Sequence, residues 1–437
     1  MNQGIKNDMN KIIFTICASN YIGLARVLET SIIQYNDNVT FLIFVADESL
    51  SNDELDALPA NILAAKSVLD IATEQWYQMA FKYDLTEFCT SIKPSCFKYI
   101  FSKFEPESVI YLDPDILTFG NFDDIYKKLD RYSILLTPHL TTIEEQYSGK
   151  IKEKSLLYSG IYNLGFLALK CDASSRKLLD WWEVRLKDRC YQSMMESYFT
   201  DQKWMDFIPA FFPDKLLICS DLGLNLAPWN FYEREVVLDC EVLKVVNRID
   251  RNDSKVYPLT FVHFSGFNYI ELMNGKISKS NIDDLEIPKD IRKLFAQYSI
   301  ALTNSDFLRY IEIPYSYNYF SNKNVISKVH RRLFRRLLED GKSFSCPFSS
   351  DGEFFISLKN GGLINKSLAV SDKSTMNNSR NIESKILLIN RFLMFVFRVI
   401  GPANFFKLVR LLRLFSIVEN HIYLIDDTYR IKFKIRN

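Results

Sequence analysis

Glycine and proline are scarce in this chain of 437 residues, at 14 and 13, and histidine is scarcer still at four. Such a composition excludes collagen-like and low-complexity architectures. The stretch after the first apolar run, Ser19-Asn-Tyr-Ile-Gly23, holds a single glycine, which disfavours a glycine-rich phosphate loop at that position. The eight cysteines include no C-x-x-C pair, and most sit in apolar stretches such as Phe14-Thr-Ile-Cys17 and Leu217-Ile-Cys219. That is poor material for a zinc site or a disulfide framework, and reduced buried thiols in a cytoplasmic protein are expected instead. Charge of one sign is also missing: 54 Lys+Arg stand against 53 Asp+Glu, a net of +1, so nothing marks a nucleic-acid-coating protein. The run Arg331 to Arg336 is short and reads as a solvated helix face.

Long hydrophobic runs are absent as well. No window offers the ~18 uninterrupted apolar residues of a spanning helix. The nearest, Ile386 to Val418, is broken by Arg391, Arg398, Lys407, Arg410 and Arg413. The expectation is a chain that does not cross a membrane, with residues 382–437 either an interfacial helix on anionic lipid or a helical subdomain. Near the N-terminus, Ile12 to Ala18 follows Lys6 and Lys11 but is preceded by Asp8 and cut off by Asn20, so it reads as a first β-strand rather than a signal peptide.

What is present is an ordinary globular balance, 48% hydrophobic and 24% charged, long enough for two or three domains. Aromatics reach 14%, chiefly core material. The first half alternates strand and helix signals, the pattern of an α/β fold with a mostly parallel sheet. Predicted strands are Ile12 to Ala18, Thr40 to Ala46, Ser67 to Ile71, Ser108 to Leu112, Ser133 to Thr137, Ile161 to Leu169 and Leu259 to Phe264. Predicted helices cover Ser91 to Lys103 and Ala173 to Arg189. Past about residue 270 the character turns polar and basic-helical, and Ser371 to Asn381 reads as a linker. The expected division is 1–270, 271–375 and 382–437.

Asp113-Pro114-Asp115 is the most informative triplet. Two carboxylates just beyond an apolar strand lie at the carboxyl edge of the sheet, where open α/β folds bind ligands. They repel each other unless a cation or solvent intervenes, and hard oxygen ligands suit Mg²⁺ or Mn²⁺. Taken alone the triplet reads more readily as a solvated turn.

It is accompanied by Ile13-Phe-Thr-Ile-Cys-Ala-Ser-Asn-Tyr21, Val109-Ile-Tyr-Leu-Asp-Pro-Asp-Ile116, Ser159-Gly-Ile-Tyr-Asn-Leu-Gly-Phe166, Thr200-Asp-Gln-Lys203 and Val262-His-Phe-Ser-Gly-Phe267, with Asp47 ending the second strand. In this order across roughly the first 270 residues, the chain resembles nucleotide-sugar glycosyltransferases of the GT-A fold, closest to the family 8 type and to a bacterial group within it. The resemblance implies a GT-A catalytic domain at 1–270. Asp113 and Asp115 would bind a Mn²⁺ or Mg²⁺ ion bridging the donor's phosphates, with His263 a further ligand; a lone histidine in an apolar strand is otherwise a core residue. It places Asn20, Tyr21 and Asp47 at the nucleotide, where the plainer readings are a helix cap and a turn. Lys93 would lie by the donor or the Asp cluster, although Pro94 beside it also fits a plain helix start. Asn163 and Gly165 would line the transferred sugar. Asp201 and Gln202 would sit beside the reacting carbon, the alternative for Asp201 being an N-cap, and Gly266 would let backbone approach the diphosphate. The resembled enzymes follow the last motif with a phosphate-contacting lysine. Here Phe267-Asn268-Tyr269 follow, which leaves Lys276 or Lys279 as distant substitutes. His139 and Trp229 are weaker candidates for sugar contact.

The implied reaction is metal-dependent transfer of a hexosyl residue from a nucleoside diphosphate sugar, UDP-linked, to a hydroxyl of a glycan or lipid-linked glycan, with retention favoured. This would occur in the cytoplasm or at the inner face of the membrane, in bacterial surface polysaccharide synthesis. The competing expectations are a noncatalytic sugar-binding scaffold and a nucleotidyltransferase.

Overall fold

A computed structural model of the chain describes residues 11–279, 287–365 and 382–431. It divides into two compact units, Met1–Ile71 with Leu85–Tyr315, and Ala72–Asp84 with Ser316–Asn437. The predicted linker Ser371 to Asn381 lies outside the described residues.

The first unit is built on a seven-stranded sheet in the order Leu216–Ile218, Ile134–Leu136, Phe166–Lys170, Ser108–Leu112, Lys11–Cys17, Thr40–Val45 and Ile62–Ala64. Every neighbouring pair is parallel except those made by Phe166–Lys170, which runs antiparallel to both of its neighbours. The central strands are apolar at nearly every position and almost wholly buried, as expected where helices cover both faces of a sheet. Helix Ile22–Tyr35 packs its Ala25, Leu28 and Ile32 into one core with Ile13, Ile43 and Ile110.

Three sequence expectations shift. The third strand is Ile62–Ala64, and the predicted Ser67 to Ile71 begins within helix Ala65–Val68. The strand expected from Ile161 begins only at Phe166, because residues 159–165 are drawn into side-chain hydrogen bonds at the sheet edge. The sheet-bearing unit also runs on to Tyr315, past the expected end near 270. Helix Lys289–Thr303 buries Ile291, Leu294, Phe295 and Tyr298 against Phe264 and Phe267 of that unit, and Phe264 stacks on Tyr298 at 4.1 Å.

The second unit has its own core, in which Phe81, Phe320, Leu333, Phe334, Phe354 and Leu358 meet. The basic run expected as a solvated face is buried instead: Arg331, Arg332, Arg335 and Arg336 of helix Lys328–Glu339 are all 5% exposed or less. Each is held by hydrogen bonds, Arg331 to backbone carbonyls and Arg335 to Glu339 and Glu419. Helix Ile382–Leu414 has no buried residue and leaves helical geometry at Gly401 (φ 74°), just before Pro402. By length and composition it is able to cross a membrane, since its most apolar window tolerates the arginines that argued against spanning.

Candidate active site

The strand Ser108–Leu112 stops where the chain turns at Asp113-Pro114-Asp115, and Ile116–Thr118 follows at once. That short strand pairs antiparallel with Phe261–His263, so His263 lies opposite Ile116, the neighbour of Asp115. Backbone bonds hold the ends in place: Phe264 donates to the Asp115 carbonyl at 2.9 Å, and Asp113 donates to the Gly165 carbonyl at 2.8 Å. His263 is thereby brought from a distant part of the chain to the two aspartates. His263 Nε2 is 3.0 Å from Asp115 Oδ1 and 3.6 Å from Asp113 Oδ2, and the ligand atoms of all three lie within 4.8 Å of one another.

Gly165 makes the approach possible. A Cβ there would stand 2.4 Å from His263 Cε1 and 2.8 Å from Asp113 Oδ2, closer than atoms tolerate. Two tyrosines orient the carboxylates from behind: Tyr111 donates to Asp113 Oδ1 at 2.5 Å and Tyr269 donates to Asp115 Oδ2 at 3.1 Å. Tyr111 was legible in principle, because residues two apart on an extended strand share a face. Tyr269 was not, since it reaches Asp115 from 154 positions further along the chain, at the start of helix Tyr269–Met273.

Burial pushes the Asp113 carboxyl above its ordinary range, against the pull of Lys93 and His263. At Asp115 burial also opposes ionisation, but His263 and the Tyr269 hydroxyl outweigh it and the pKa falls. Burial disfavours the charged form of His263 too, yet the two carboxylates raise it above the usual histidine value. A half-buried carboxylate pair this close calls for positive charge between its members. Two carboxylates and an imidazole nitrogen within reach of one point, with hydroxyls fixing the outer oxygens, fit a divalent cation of the Mg²⁺ or Mn²⁺ kind.

Around the cluster, Lys93 is almost fully buried. It donates to Asp201 Oδ2 at 2.5 Å and to the Leu164 carbonyl at 2.9 Å, and its ammonium lies 4.0 Å over the Tyr111 ring. The Asp201 carboxylate is therefore occupied by Lys93 and by Thr200 Oγ1, and it does not cap the short helix Gln202–Phe207. The plain N-cap reading of Asp201 fails on that geometry. Gln202 Oε1 accepts from Asn163 Nδ2 and the Leu164 amide, while Asn163 Oδ1 accepts from the Gly165 amide and from Asn225 Nδ2. Asn225 is a member of this network that sequence reasoning missed, because no motif marks it.

Asp47 lies two residues past the end of strand Thr40–Val45 and is 4% exposed, with Oδ1 taking the Ser19 amide and hydroxyl at 2.8 and 2.7 Å and Oδ2 taking the Ser49 hydroxyl. It ties the first two strand ends together. Asn20 Oδ1 is buried and has no hydrogen-bond partner among the described residues, and Tyr21 meets Tyr269 edge-on at 6.2 Å, which puts it beside Asp115. Gly266 takes φ 74°, and the space of its missing Cβ lies 2.8 Å from Lys279 Nζ. His139 packs on Trp229 at 5.1 Å, and Trp229 packs on His263 at 5.4 Å, so the two weaker candidates border the cluster.

No protein-family model matches the sequence. The chain is 26% identical over 259 residues to the uncharacterized protein YfnF of Bacillus subtilis, covering 59% of this chain and 82% of that protein. Among solved structures it is similar to the galactosyltransferase LgtC in complex with donor and acceptor sugar analogs, at 17% identity and TM-score 0.39, over 67% of this chain and 96% of that one. It is also similar to the glycosyltransferase GlyE of Streptococcus pneumoniae, at 14% and TM-score 0.34, over 72% of this chain and 67% of that one. Mouse xyloside xylosyltransferase 1 follows at 11% and TM-score 0.34, over 59% and 98%. At these scores each is a likeness and no more.

Proposed function

We propose that this chain is a metal-dependent glycosyltransferase that moves a hexosyl residue from a UDP-linked sugar to a hydroxyl acceptor. One observation carries the reading: Asp113, Asp115 and His263 converge at the carboxyl edge of a mostly parallel sheet, with their ligand atoms within 4.8 Å of one another. That placement fits a ligand held at the ends of the strands. When bound, a Mn²⁺ or Mg²⁺ ion would offset the charge of a leaving diphosphate. Asp113, Asp115 and His263 would hold it, and Tyr111 and Tyr269 would orient the two carboxylates.

The remaining residues take roles that follow from their contacts. Asn20 and Tyr21 face the nucleotide from the end of the first strand, and Asp47 braces that corner through Ser19. Gly165 and Gly266 keep side chains out of the space beside the cluster. Asn163, Gln202 and Asp201, locked by Lys93, form a rigid polar wall for the transferred sugar, and fixed dipoles of this kind stabilise charge developing at the anomeric carbon. Retention of configuration belongs to this reading through the sequence motifs. So does a glycan or lipid-linked glycan acceptor of bacterial surface polysaccharide synthesis. We place the protein at the cytoplasmic face of the membrane, touching it through residues 382–437.

The test is release of nucleoside diphosphate from a panel of nucleotide sugars with Mn²⁺, Mg²⁺ or EDTA. EDTA should abolish turnover of one UDP-sugar, and Asp113→Ala or Asp115→Ala should lower it by about a hundredfold or more, the cost of losing a ligand exceeding that of an outer partner. Unchanged turnover in both variants would remove the metal site from the mechanism.

A further inference from the structure

Helix Ile22–Tyr35 keeps polar side chains on one face: Arg26, Thr30 and Gln34 stand four residues apart, with Ser31 and Tyr35 beside them. Helix Lys289–Thr303 faces it with Gln297 and Ala301, also four apart, and with Asn304 at its cap. Thr30, Ser31 and Ala301 are too small to fill the space between the two helices. A cleft of about 600 Å³ remains, a volume in the range of small-molecule sites, and residues 117–119 close its third side. None of Asp113, Asp115 and His263 borders it. Three residues of extended chain, ~10 Å, separate Asp115 from Thr118.

The chemistry of the lining selects the ligand. Among the described residues that border the cleft only Arg26 and Asp306 are charged, and they pair at 3.5 Å, which leaves no net charge to draw an ion. The side chains of Gln34, Gln297 and Asn304 make no hydrogen bond among the described residues, so three amides, each with donor and acceptor capacity, surround one space. Thr118 Oγ1 is buried and likewise unpartnered among the described residues, although the Thr118 amide donates to Ser31 Oγ at 3.1 Å. Val27, Leu117 and Phe119 add apolar surface, and Tyr35 stands at one end, 38% exposed. A sugar presents the matching surface: hydroxyls that both donate and accept around its edge, and C–H groups on its faces. A purely apolar ligand would strip water from the amides and return nothing. We propose that this cleft binds a neutral oligosaccharide, at a site separate from the metal-binding cluster. No metal and no nucleotide enter the proposal, so it stands or falls apart from the reading of that cluster.

The experiment is a glycan array of neutral and acidic oligosaccharides probed with the full chain. Calorimetry of the strongest neutral binder then compares the natural protein, the double variant Gln34→Ala with Asn304→Ala, and Ala301→Trp. The double variant removes two exposed amides, and the third change fills the cleft with an indole. Loss of two neutral hydrogen bonds should weaken binding by about tenfold or more. Ala301→Trp should abolish it, and salt should change it little, because no ionic contact is involved. Binding that survives in Asp113→Ala would support the separation of the cleft from the cluster. If no neutral oligosaccharide binds the natural protein, the inference fails. If both cleft variants bind the sugar as the natural protein does, the sugar sits elsewhere, and the inference fails while the reading of the cluster stands. If acidic oligosaccharides bind more tightly than neutral ones and are released by salt, the ligand is ionic and the inference fails as well.

Discussion

His139 shows how a single residue's surroundings set a measurable property. It is 5% exposed, and its Nδ1 lies 3.1 Å from the Ile161 carbonyl, which only accepts, so Nδ1 carries the proton of the neutral ring. Burial lowers its pKa from 6.5 to about 4, the neighbouring carbonyls only partly opposing this. The sign follows directly. Between about 4 and 6.5 the unfolded chain takes up a proton that the folded chain refuses, so folding weakens as pH falls through that window, by up to about 3 kcal/mol. Above 6.5 neither state is protonated and the penalty vanishes. Urea unfolding at several pH values should show this slope in the natural protein and a shallower one in His139→Gln, whose amide keeps a donor for Ile161. His263, raised rather than lowered, contributes with the opposite sign in both proteins and cancels from the difference. Identical slopes would mean that His139 titrates normally.

At this scale legibility depended on whether function and local pattern coincided. Asp113, Asp115 and His263 stand in motifs whose order along the chain is informative, and the structure brings their ligand atoms together. Asn225 stands in none, because a strand-end network delivers it from a position with no periodic signal. Lys93 was expected by the donor or the Asp cluster, with a plain helix start as the alternative. That its partner is Asp201, 108 positions away, is a fact of packing.

Elements were legible where one period dominated over enough residues. The long buried strands Lys11–Cys17 and Thr40–Val45 stood out as apolar runs, and a helix was expected near Ala173 to Arg189, where one lies. Short pieces such as Ile62–Ala64 and Ile116–Thr118 carry too few residues to show a period, and neighbouring strands rather than local preference make them extended. Helix Lys328–Glu339 misled for another reason: arginines usually mark water, whereas here they close off backbone. Arg331 donates from Nη1 to the carbonyls of Ala80, Phe81 and Tyr83 at 3.1, 2.8 and 2.7 Å, and from Nη2 to Tyr317 at 2.8 Å. The first two carbonyls belong to the last turn of helix Thr73–Lys82, where a helix runs out of its own amide donors. Arg331→Met would strand several buried acceptors and should destabilise the second unit by about 3 kcal/mol or more. Arg331→Lys should not restore it, since an ammonium lacks the planar fork. Thermal unfolding would show the loss, and Mn²⁺ binding at 25 °C should be unchanged where the protein remains folded. A variant as stable as the natural protein would show that these bonds are replaceable.

For the whole molecule, the near-zero net charge conceals an uneven distribution. Carboxylates gather at the cluster, while helix Ile382–Leu414 carries Arg391, Arg398, Lys407, Arg410 and Arg413 with no acidic residue after Glu383. The same helix exposes Leu387, Leu388, Phe392, Phe395 and Val399 at 60–69%. Apolar side chains left in water at that density have a thermodynamic reason to leave it, and basic residues among them select an anionic surface. Each Arg or Lys near such a surface contributes about 1 kcal/mol, falling as salt screens it. The full chain should therefore sediment with vesicles containing phosphatidylserine or phosphatidylglycerol, and poorly with neutral ones. Replacing Arg391, Arg398, Lys407, Arg410 and Arg413 together with Gln should weaken that binding by about a hundredfold or more, and raising the salt should do the same to the natural protein. Leu387→Ser with Phe395→Ser should weaken it with little change in salt dependence, because they remove the apolar part alone. A helix that spans the bilayer behaves differently: it stays with the membrane at high salt and at alkaline pH, and releases only in detergent. That result would replace the interfacial placement with a spanning one, and the kink at Gly401 and Pro402 would then lie within the bilayer rather than along its surface.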